Sequence, residues 1–247
     1  MFFDNLFEIK NIDGVLSDLN TDIHSHLIPG IDDGSPNMET SLECIREMHK
    51  LGFRKICLTP HFQSQKFQND EDDVLERAEQ LREELRKNDI DMELIVAGEY
   101  RVDSGFHKRM EENKFLTING QYLLIEFSFS QAILGLHELV FELQKLGHEV
   151  ILAHPERYLY FHQHPDLPRT MKDAGVYFQA NINSFSGFYG KTTQQIAFEY
   201  VKNGWIDFLG TDLHNGHYLE WLQKTCHNKK FHQMLKSKNN EFLNSKI

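Results

Sequence analysis

The fold of this 247-residue chain is best approached from the stretch Asp22-Ile23-His24-Ser25-His26. Successive side chains of a strand point to opposite faces, so His24 and His26 would lie on the same side, within reach of one metal ion. Short apolar runs of this kind alternate with stretches of helical period along the whole chain. We count seven such units, with strands predicted over residues 21–26, 55–61, 93–101, 122–127, 149–154, 176–181 and 207–214.

The alternation of strand and helix predicts one parallel α/β domain, because neither a flexible linker nor a short repeat interrupts it. An open doubly wound sheet binds its ligand at one switch point, whereas a closed barrel presents residues from every strand end around one mouth. Residues able to bind metal or phosphate follow six of the seven predicted strands, which favours the barrel. We expect the barrel over residues 21–247 and an N-terminal extension over residues 1–20. The first helix is expected to begin with Ser35 as N-cap and Pro36 at its first position.

Composition excludes several classes of protein. The chain has 26 Lys and Arg residues against 37 Asp and Glu residues, and it has no basic stripe, which argues against binding nucleic acid or an anionic membrane. Three scattered cysteines are typical of a reducing compartment. Neither a signal peptide nor an apolar run of about 18 residues is present, so we expect a cytoplasmic protein without membrane insertion. The apolar residues near the start could either pack on the barrel or form a homo-oligomer contact, and the sequence does not distinguish between the two. These residues are Phe2, Phe3, Leu6, Phe7 and Ile9.

The polar residues at the strand ends are histidines and carboxylates, in Thr59-Pro60-His61, Gly98-Glu99, Glu126, His154-Pro155-Glu156-Arg157 and Asp212-Leu213-His214. One such residue is more often structural, but their recurrence at successive strand ends indicates a metal centre. Imidazole and carboxylate without thiolate suit Mn²⁺, Fe²⁺ or Zn²⁺. So many ligands exceed the needs of one ion, and ions about 3.5–4 Å apart can activate a water and clamp a phosphoester. Arg157 could then bind phosphate oxygens in a bidentate way.

Other hydrolytic chemistries fail on spacing. Cysteine-dependent phosphatases need an Arg six residues after the nucleophile, but the sixth residue after the three cysteines is Lys50, Gln63 or His232. A Walker-type loop before Gly190-Lys191-Thr192 would need Gly where Phe185 stands. A Gly-x-Ser-x-Gly elbow for serine hydrolysis is absent from the sequence.

Together with the loop Pro29-Gly30-Ile31-Asp32-Asp33-Gly34, these motifs resemble the PHP (polymerase and histidinol phosphatase) superfamily. The Gly-Ile-Asp-Asp-Gly and His-Pro-Glu-Arg blocks resemble the capsule- and exopolysaccharide-associated bacterial tyrosine phosphatases, and the likeness runs from about Asp22 to His214. The resemblance implies a distorted (β/α)7 barrel with three metal ions, most often manganese. It also implies hydrolysis of phosphotyrosine on the tail of a bacterial tyrosine kinase that controls polysaccharide export.

The resemblance further implies a role for each strand-end residue. The ligands of the first ion would be His24, His26, Glu99 and Asp212, those of the second Glu99, Glu126 and His154, and those of the third Asp33, His61 and His214. Arg157 would hold the phosphate, and Arg157, Glu99 and Asp212 are the residues expected to be catalytic.

The chain departs from the capsule-type pattern in one place, because no Arg follows Asp212-Leu213-His214 closely. His217 and Arg101 are the candidates to replace it. The alternative function is a PHP phosphatase acting on a small phosphoester such as histidinol phosphate. A nucleic-acid end is disfavoured as substrate by the missing basic track, and a non-catalytic barrel is disfavoured by the intact ligands.

Overall fold

Parallel strands alternate with helices in the computed structural model, which describes residues 10–131, 135–237 and 241–247. The strands in these ranges are β1 (Thr21–Ser25), β2 (Lys55–Leu58), β3 (His61–Phe62), β4 (Glu93–Val96), β5 (Glu99–Arg101), β6 (Tyr122–Glu126), β7 (Glu149–Ala153), β8 (Tyr177–Asn181) and β9 (Phe208–Gly210). The α-helices are α1 (Met38–Leu51), α2 (Glu71–Lys87), α3 (Phe106–Glu112), α4 (Leu136–Lys145), α5 (Leu159–Gln163), α6 (Asp166–Asp173), α7 (Lys191–Lys202), α8 (Gly216–His227) and α9 (Lys229–Leu235). Short 3-10 helices cover Pro155–Arg157, Ile182–Ser186 and Leu243–Lys246.

Two of the seven predicted strands are interrupted in the structure. The segment 55–61 contains β2 and β3, separated at Pro60, which lacks an N–H for the ladder. The segment 93–101 contains β4 and β5, separated at Gly98, where an added Cβ would lie 2.6 Å from the Phe62 ring. The strands therefore pair in two parallel groups, β1-β2-β4 and β3-β5-β6-β7-β8-β9.

Backbone hydrogen bonds join the two groups into a closed barrel. The Asp212 N–H donates to the His24 carbonyl at 2.8 Å and the His26 N–H donates to the Leu213 carbonyl at 2.9 Å, so the chain after β9 lies beside β1. The Glu99 N–H donates to the Pro60 carbonyl at 3.0 Å and continues the pairing at the break in the second unit. The predicted α/β barrel of seven units in a single domain is confirmed, and the carboxyl ends of its strands meet at one mouth.

Strand periodicity carries the site residues into that mouth. In β6, Tyr122 and Leu124 pack with an apolar cluster that also contains Ile151 of β7, whereas Leu123 and Ile125 pack in the larger cluster that contains the helices. Glu126 ends β6 on the same face as Leu124 because side chains on one face recur every two residues.

The first helix begins later than predicted. Its N-cap is Asn37 rather than Ser35, since Asn37 has an extended backbone and its side chain accepts from the Thr40 N–H at 2.9 Å. Ser35 is buried instead, and its N–H donates to the His26 carbonyl at 2.9 Å. This bond folds the loop before α1 back onto the end of β1 and brings Asp32 and Asp33 to the mouth.

The segment before β1 packs on the barrel where it is described. Leu16 and Leu19 are buried, and the Leu16 N–H donates to the Leu51 carbonyl at the end of α1. The boundary at residue 20 and the homo-oligomer contact stay predictions, and residues 1–9, with the apolar side chains noted above, lie outside the described residues. In the described part of the chain, none of the helices combines the length and apolar character needed to cross a lipid bilayer.

Candidate metal centre

Eight of the nine predicted ligands converge at the barrel mouth. Their donor atoms form four overlapping groups, and the atoms within each group lie no more than 4.8 Å apart. The groups are His24–Glu99–His154, His24–His26–Asp212, His61–Glu99–Glu126 and His26–His61–His214. The overlap of the groups is the arrangement that a multinuclear metal site requires.

Glu99 lies at the centre of the cluster and is completely buried. Its Oε1 lies 3.1 Å from His154 Nε2 and 3.5 Å from His24 Nε2. Its Oε2 lies 2.8 Å from His61 Nδ1 and 3.4 Å from His26 Nε2. Despite these short distances, neither Glu99 Oε2 nor His61 Nδ1 has a partner in hydrogen-bonding geometry among the described residues. Buried polar atoms without partners are rare, and here a cation would satisfy them.

A chain of hydrogen bonds fixes the tautomer of His24. The Asp212 carboxylate can only accept, so Asn181 presents its NH₂ group to Asp212 Oδ2 at 2.7 Å. Asn181 Oδ1 then accepts from Gln179 Nε2 at 2.9 Å, and Gln179 Oε1 accepts from His24 Nδ1 at 2.8 Å. With the proton on Nδ1, the lone pair of His24 Nε2 faces the cluster.

Two further histidines are oriented in the same way. His26 Nδ1 donates to Asp32 Oδ2 at 2.8 Å, and His214 Nδ1 donates to the Asp212 carbonyl at 2.8 Å. Their Nε2 lone pairs are therefore free, and those of His24 and His26 face each other at only 3.2 Å. Metal-binding histidines characteristically donate their other N–H to a carboxylate or carbonyl in this manner. The donor set and its orientation thus fit divalent ions such as Mn²⁺, Fe²⁺ and Zn²⁺.

The cluster is also crowded with negative charge. Burial and the neighbouring charge of Glu99 raise the pKa of Glu126 to about 7. Burial alone would lower the pKa of His24, but Glu99 and Asp212 raise it to about 9. Cations would relieve both effects, since they favour the ionised carboxylates and the neutral imidazole that ligate them.

Asp33 is the ninth predicted ligand, and it lies at the edge of the site. Its Oδ1 is 3.4 Å from His61 Nε2 and 3.8 Å from His214 Nε2, and its side chain is 46% exposed. Its Oδ2 pairs with Lys66 at 3.0 Å. The neighbouring Asp32 points elsewhere, because it is bonded to the His26 ring and also accepts the His61 N–H at 3.0 Å.

Asp212 divides its two oxygens between the cluster and a set of donors. Its Oδ1 lies 3.4–3.5 Å from the nitrogens of three histidines, namely His24, His26 and His214. Its Oδ2 receives hydrogen bonds from Arg157 at 3.1 Å, Asn181 at 2.7 Å and the Tyr189 hydroxyl at 3.2 Å. Asp212 (φ 51°) and His154 (φ 37°) both have left-handed backbones, a conformation that costs energy for non-glycine residues and clusters at functional sites.

Arg157 packs against two aromatic rings. The guanidinium carbon is 4.5 Å from the Phe129 centroid and 4.1 Å from the Tyr189 centroid, so both rings lie within the range of a cation–π contact. Among the described residues, Asp212 is its single hydrogen-bond partner. The remaining N–H donors are therefore available to an anion in the cavity that Arg157 lines.

The ligand cluster opens into a cavity of about 570 Å³ at the carboxyl ends of the strands. Arg101, one candidate for the missing Arg, lines this cavity and lies 3.5 Å from Glu126 Oε1. His217, the other candidate, is 64% exposed, lies 3.9 Å from Glu220 and does not line the cavity. Of the two, only Arg101 can reach a ligand bound there.

Sequence reasoning missed the residues that orient the cluster. Gln179, Asn181, Tyr189 and Asp32 bind no predicted ion, yet each contacts a predicted ligand. One signal was available for Asn181, which ends the predicted strand that lacked a ligand candidate. Gln179 and Tyr189 carried no local signal.

A family model described as capsular polysaccharide synthesis, CpsB/CapC, matches residues 20–244. The chain belongs to the CpsB/CapC family. The resemblance to capsule-associated phosphatases, which was predicted from the sequence motifs, is therefore confirmed. Among CpsB/CapC relatives, the tyrosine-protein phosphatase YwqE of Bacillus subtilis is 31% identical over 195 residues, covering 78% of this chain and 77% of YwqE. A putative tyrosine-protein phosphatase CapC of Staphylococcus aureus is 26% identical, covering 78% of this chain and 76% of CapC.

Solved structures show the same fold. A chain from the crystal structures of YwqE from Bacillus subtilis and CpsB from Streptococcus pneumoniae, described as unique metal-dependent tyrosine phosphatases, superposes with a TM-score of 0.78 at 28% identity. The match covers 91% of this CpsB/CapC chain and 90% of the other. The histidinol phosphate phosphatase HisK of Lactococcus lactis superposes with a TM-score of 0.52 at 14% identity, covering 86% of this chain and 93% of HisK, a likeness of fold alone.

Proposed function

We propose that this protein is a metal-dependent tyrosine phosphatase of capsule or exopolysaccharide synthesis. The observation that carries the proposal is the buried cluster of histidines and carboxylates around Glu99, which faces a cavity also lined by Arg157. The substrate class follows from the relatives, since YwqE and CpsB are tyrosine phosphatases. Action on the phosphotyrosine-bearing tail of a bacterial tyrosine kinase, in the cytoplasm, belongs to the same proposal.

We assign divalent metal ions to the cluster, three per chain and manganese first, with iron or zinc as the alternatives. The residues that would hold them are His24, His26, Asp33, His61, Glu99, Glu126, His154, Asp212 and His214. When bound, such ions lower the pKa of a water and neutralise charge on a phosphoester. The protein contributes the fixed orientation of the ligands, because Gln179, Asp32 and the Asp212 carbonyl hold the imidazole rings by their Nδ1 atoms.

Arg157 would bind the phosphate group of the substrate. Its guanidinium contacts the rings of Phe129 and Tyr189, and its remaining donors can form charge-assisted bonds to non-bridging oxygens. Because one nitrogen is bonded to Asp212, a predicted ligand, the phosphate would be held next to the ions. Donors placed in advance stabilise charge that develops in the transition state.

Hydrolysis of a phosphotyrosine peptide tests the proposal. Purified protein is assayed as isolated, after chelation and after Mn²⁺ is added back, and bound metal is counted in the same samples. We expect activity to vanish on chelation and to return with Mn²⁺. Histidinol phosphate serves as the competing substrate, and a higher kcat/KM for it than for the peptide would overturn the assignment.

The variant Glu99→Ala tests the centre of the cluster. Removing Glu99 takes away the carboxylate that faces four histidines, so nearly all turnover should be lost while the fold is kept. Glu83→Ala, a change of an exposed residue of α2, is the matched control and should retain wild-type activity. Near-normal activity in a folded Glu99→Ala protein would contradict the proposal.

A further inference from the structure

Three histidines of the cluster each pack against an aromatic ring that lines the cavity. His61 and Phe67 are stacked at 5.4 Å between centroids with 8° between planes, and His214 and Tyr218 are stacked at 4.7 Å and 24°. The ring of His154 is tilted by 35° against Phe129 at 5.5 Å. All three aromatic residues are half-buried and line the cavity above the cluster. We refer to these three residues, Phe67, Phe129 and Tyr218, as the aromatic collar.

The collar residues come from three separate places around the mouth. Phe67 lies in the loop between β3 and α2, Phe129 follows β6, and Tyr218 lies in the first turn of α8. Each backbone is anchored: the Phe67 carbonyl accepts from the Gln63 N–H, the Phe129 carbonyl from the Leu159 N–H, and the Tyr218 carbonyl from the Asn183 side chain. The rings are therefore positioned before a substrate arrives.

Resting on the phosphatase function above, we propose that the aromatic collar selects phosphate esters of aromatic alcohols over those of aliphatic alcohols. With the phosphate held at the cluster and Arg157, the ester oxygen points toward the open end of the cavity. In phosphotyrosine the phenyl ring is bonded directly to that oxygen, so the ring lies at the level of the collar. In phosphoserine a single CH₂ group occupies this position and offers no ring to contact.

Aromatic contacts of this kind have a measurable size. An offset-stacked or edge-to-face pair changes binding by about 2- to 10-fold beyond simple burial. Two collar rings, Phe67 and Tyr218, would together favour an aryl phosphate by about 4- to 100-fold. Phe129 is set apart because its ring also covers the Arg157 guanidinium, so a change there would alter phosphate binding as well.

A purely structural role for the rings predicts a different result. If Phe67 and Tyr218 only supported His61 and His214, their loss would weaken aryl and alkyl ligands equally. The ratio of the affinities for the aryl and the alkyl ligand therefore separates selection from support. Non-hydrolysable ligands are used because a phenolate leaves more easily than an alkoxide, which would bias a comparison of hydrolysis rates.

The experiment measures inhibition of the Mn²⁺-loaded enzyme by benzylphosphonate and by butylphosphonate. Wild type is compared with Phe67→Leu, Tyr218→Leu and the double variant, which keep apolar volume but remove the ring. We expect the preference for benzylphosphonate to fall about 2- to 10-fold in each single variant and further in the double variant. Tyr218→Phe, which keeps the ring, should keep the preference, and so should Phe141→Leu, a change of an exposed ring on α4.

Each outcome bears on a separate claim. An unchanged preference in the folded, metal-loaded single variants would overturn the collar and leave the phosphatase function standing. A wild-type enzyme that binds neither phosphonate and hydrolyses no phosphate ester would overturn the phosphatase function and the collar together. Metal content and thermal melting of every variant establish that it is folded, and the single variants suffice if the double variant does not fold.

Discussion

Removing one hydroxyl, in Tyr189→Phe, tests whether the donors on Asp212 matter for metal binding. The Tyr189 hydroxyl donates to Asp212 Oδ2 at 3.2 Å, on the oxygen that faces away from the histidines. The phenylalanine ring would keep the contact with the Arg157 guanidinium, which lies 4.1 Å from the centroid. The variant therefore changes the restraint on Asp212 without changing the cover over Arg157.

The expected effect is modest because two other donors remain on the same oxygen. A hydrogen bond to a charged group contributes about 1.5–3 kcal/mol, and changes in groups that orient ligands cost about 10- to 100-fold in metal affinity or activity. Arg157 and Asn181 still hold Asp212 at 3.1 and 2.7 Å, so we expect the lower limit. This is a loss of about 10-fold in affinity for Mn²⁺, equivalent to about 1.4 kcal/mol.

Calorimetric titration of metal-free protein with Mn²⁺ measures this loss directly, and steady-state assays at saturating Mn²⁺ measure kcat and KM. Tyr189→Leu adds the removal of the ring from Arg157, so its KM for a phosphotyrosine peptide should rise above that of Tyr189→Phe. Identical Mn²⁺ affinity and kcat in Tyr189→Phe and wild type would refute the reasoning, since Asp212 would then be held without the hydroxyl.

Two further predictions concern stability. Asn244 is buried and makes three hydrogen bonds to backbone groups of β1 and β9, so Asn244→Ala should lower the free energy of unfolding by about 3 kcal/mol in urea denaturation, at about 1 kcal/mol per bond. As a control, Asn203→Ala, a change of an exposed residue, should alter the free energy of unfolding by less than about 0.5 kcal/mol. A loss below about 1 kcal/mol in Asn244→Ala would contradict the stabilising role of its hydrogen bonds. Burial raises the pKa of Glu71, but hydrogen bonds from Lys114 and Arg109 outweigh it and hold the pKa below its ordinary 4.5. The stabilisation by these bonds is therefore complete above pH 4.5 and is lost as pH falls through the lowered pKa. Glu71→Gln should have a lower free energy of unfolding than wild type at pH 7, and the difference should narrow below pH 4.5. A difference that is constant from about pH 3 to 7 would count against this prediction.

The sequence predicted the barrel because its evidence is local. A polar residue at the end of an apolar strand identifies the mouth, and the spacing of His24 and His26 places two ligands on one side. The breaks at Pro60 and Gly98 were not predicted, since both lie in runs that read as one extended segment. Proline is itself a local sign of a break, whereas the break at Gly98 depends on the close approach of the Phe62 ring, a tertiary contact that sequence patterns do not reveal.

The first helix and the orienting residues show the limit of local rules. Ser35 and Asn37 both satisfy the preferences of an N-cap, and the bond from Ser35 to His26 decides between them. Gln179 contacts His24 across 155 residues of sequence. No periodicity connects residues so far apart, so candidate ligands can be identified from strand ends whereas the groups that orient them cannot.

Charge explains how an acidic chain can bind an anionic substrate. Five carboxylates converge at the mouth, those of Asp32, Asp33, Glu99, Glu126 and Asp212, and alone they would repel a phosphate dianion. Divalent ions held by these carboxylates would offset their charge, and Arg101 and Arg157, which line the same cavity, would add positive charge beside them. A bound ion is often the largest charge in a site and sets the sign of its field. The same balance explains why the chain needs no basic track: the ions would supply most of the attraction that a series of lysines and arginines would otherwise provide.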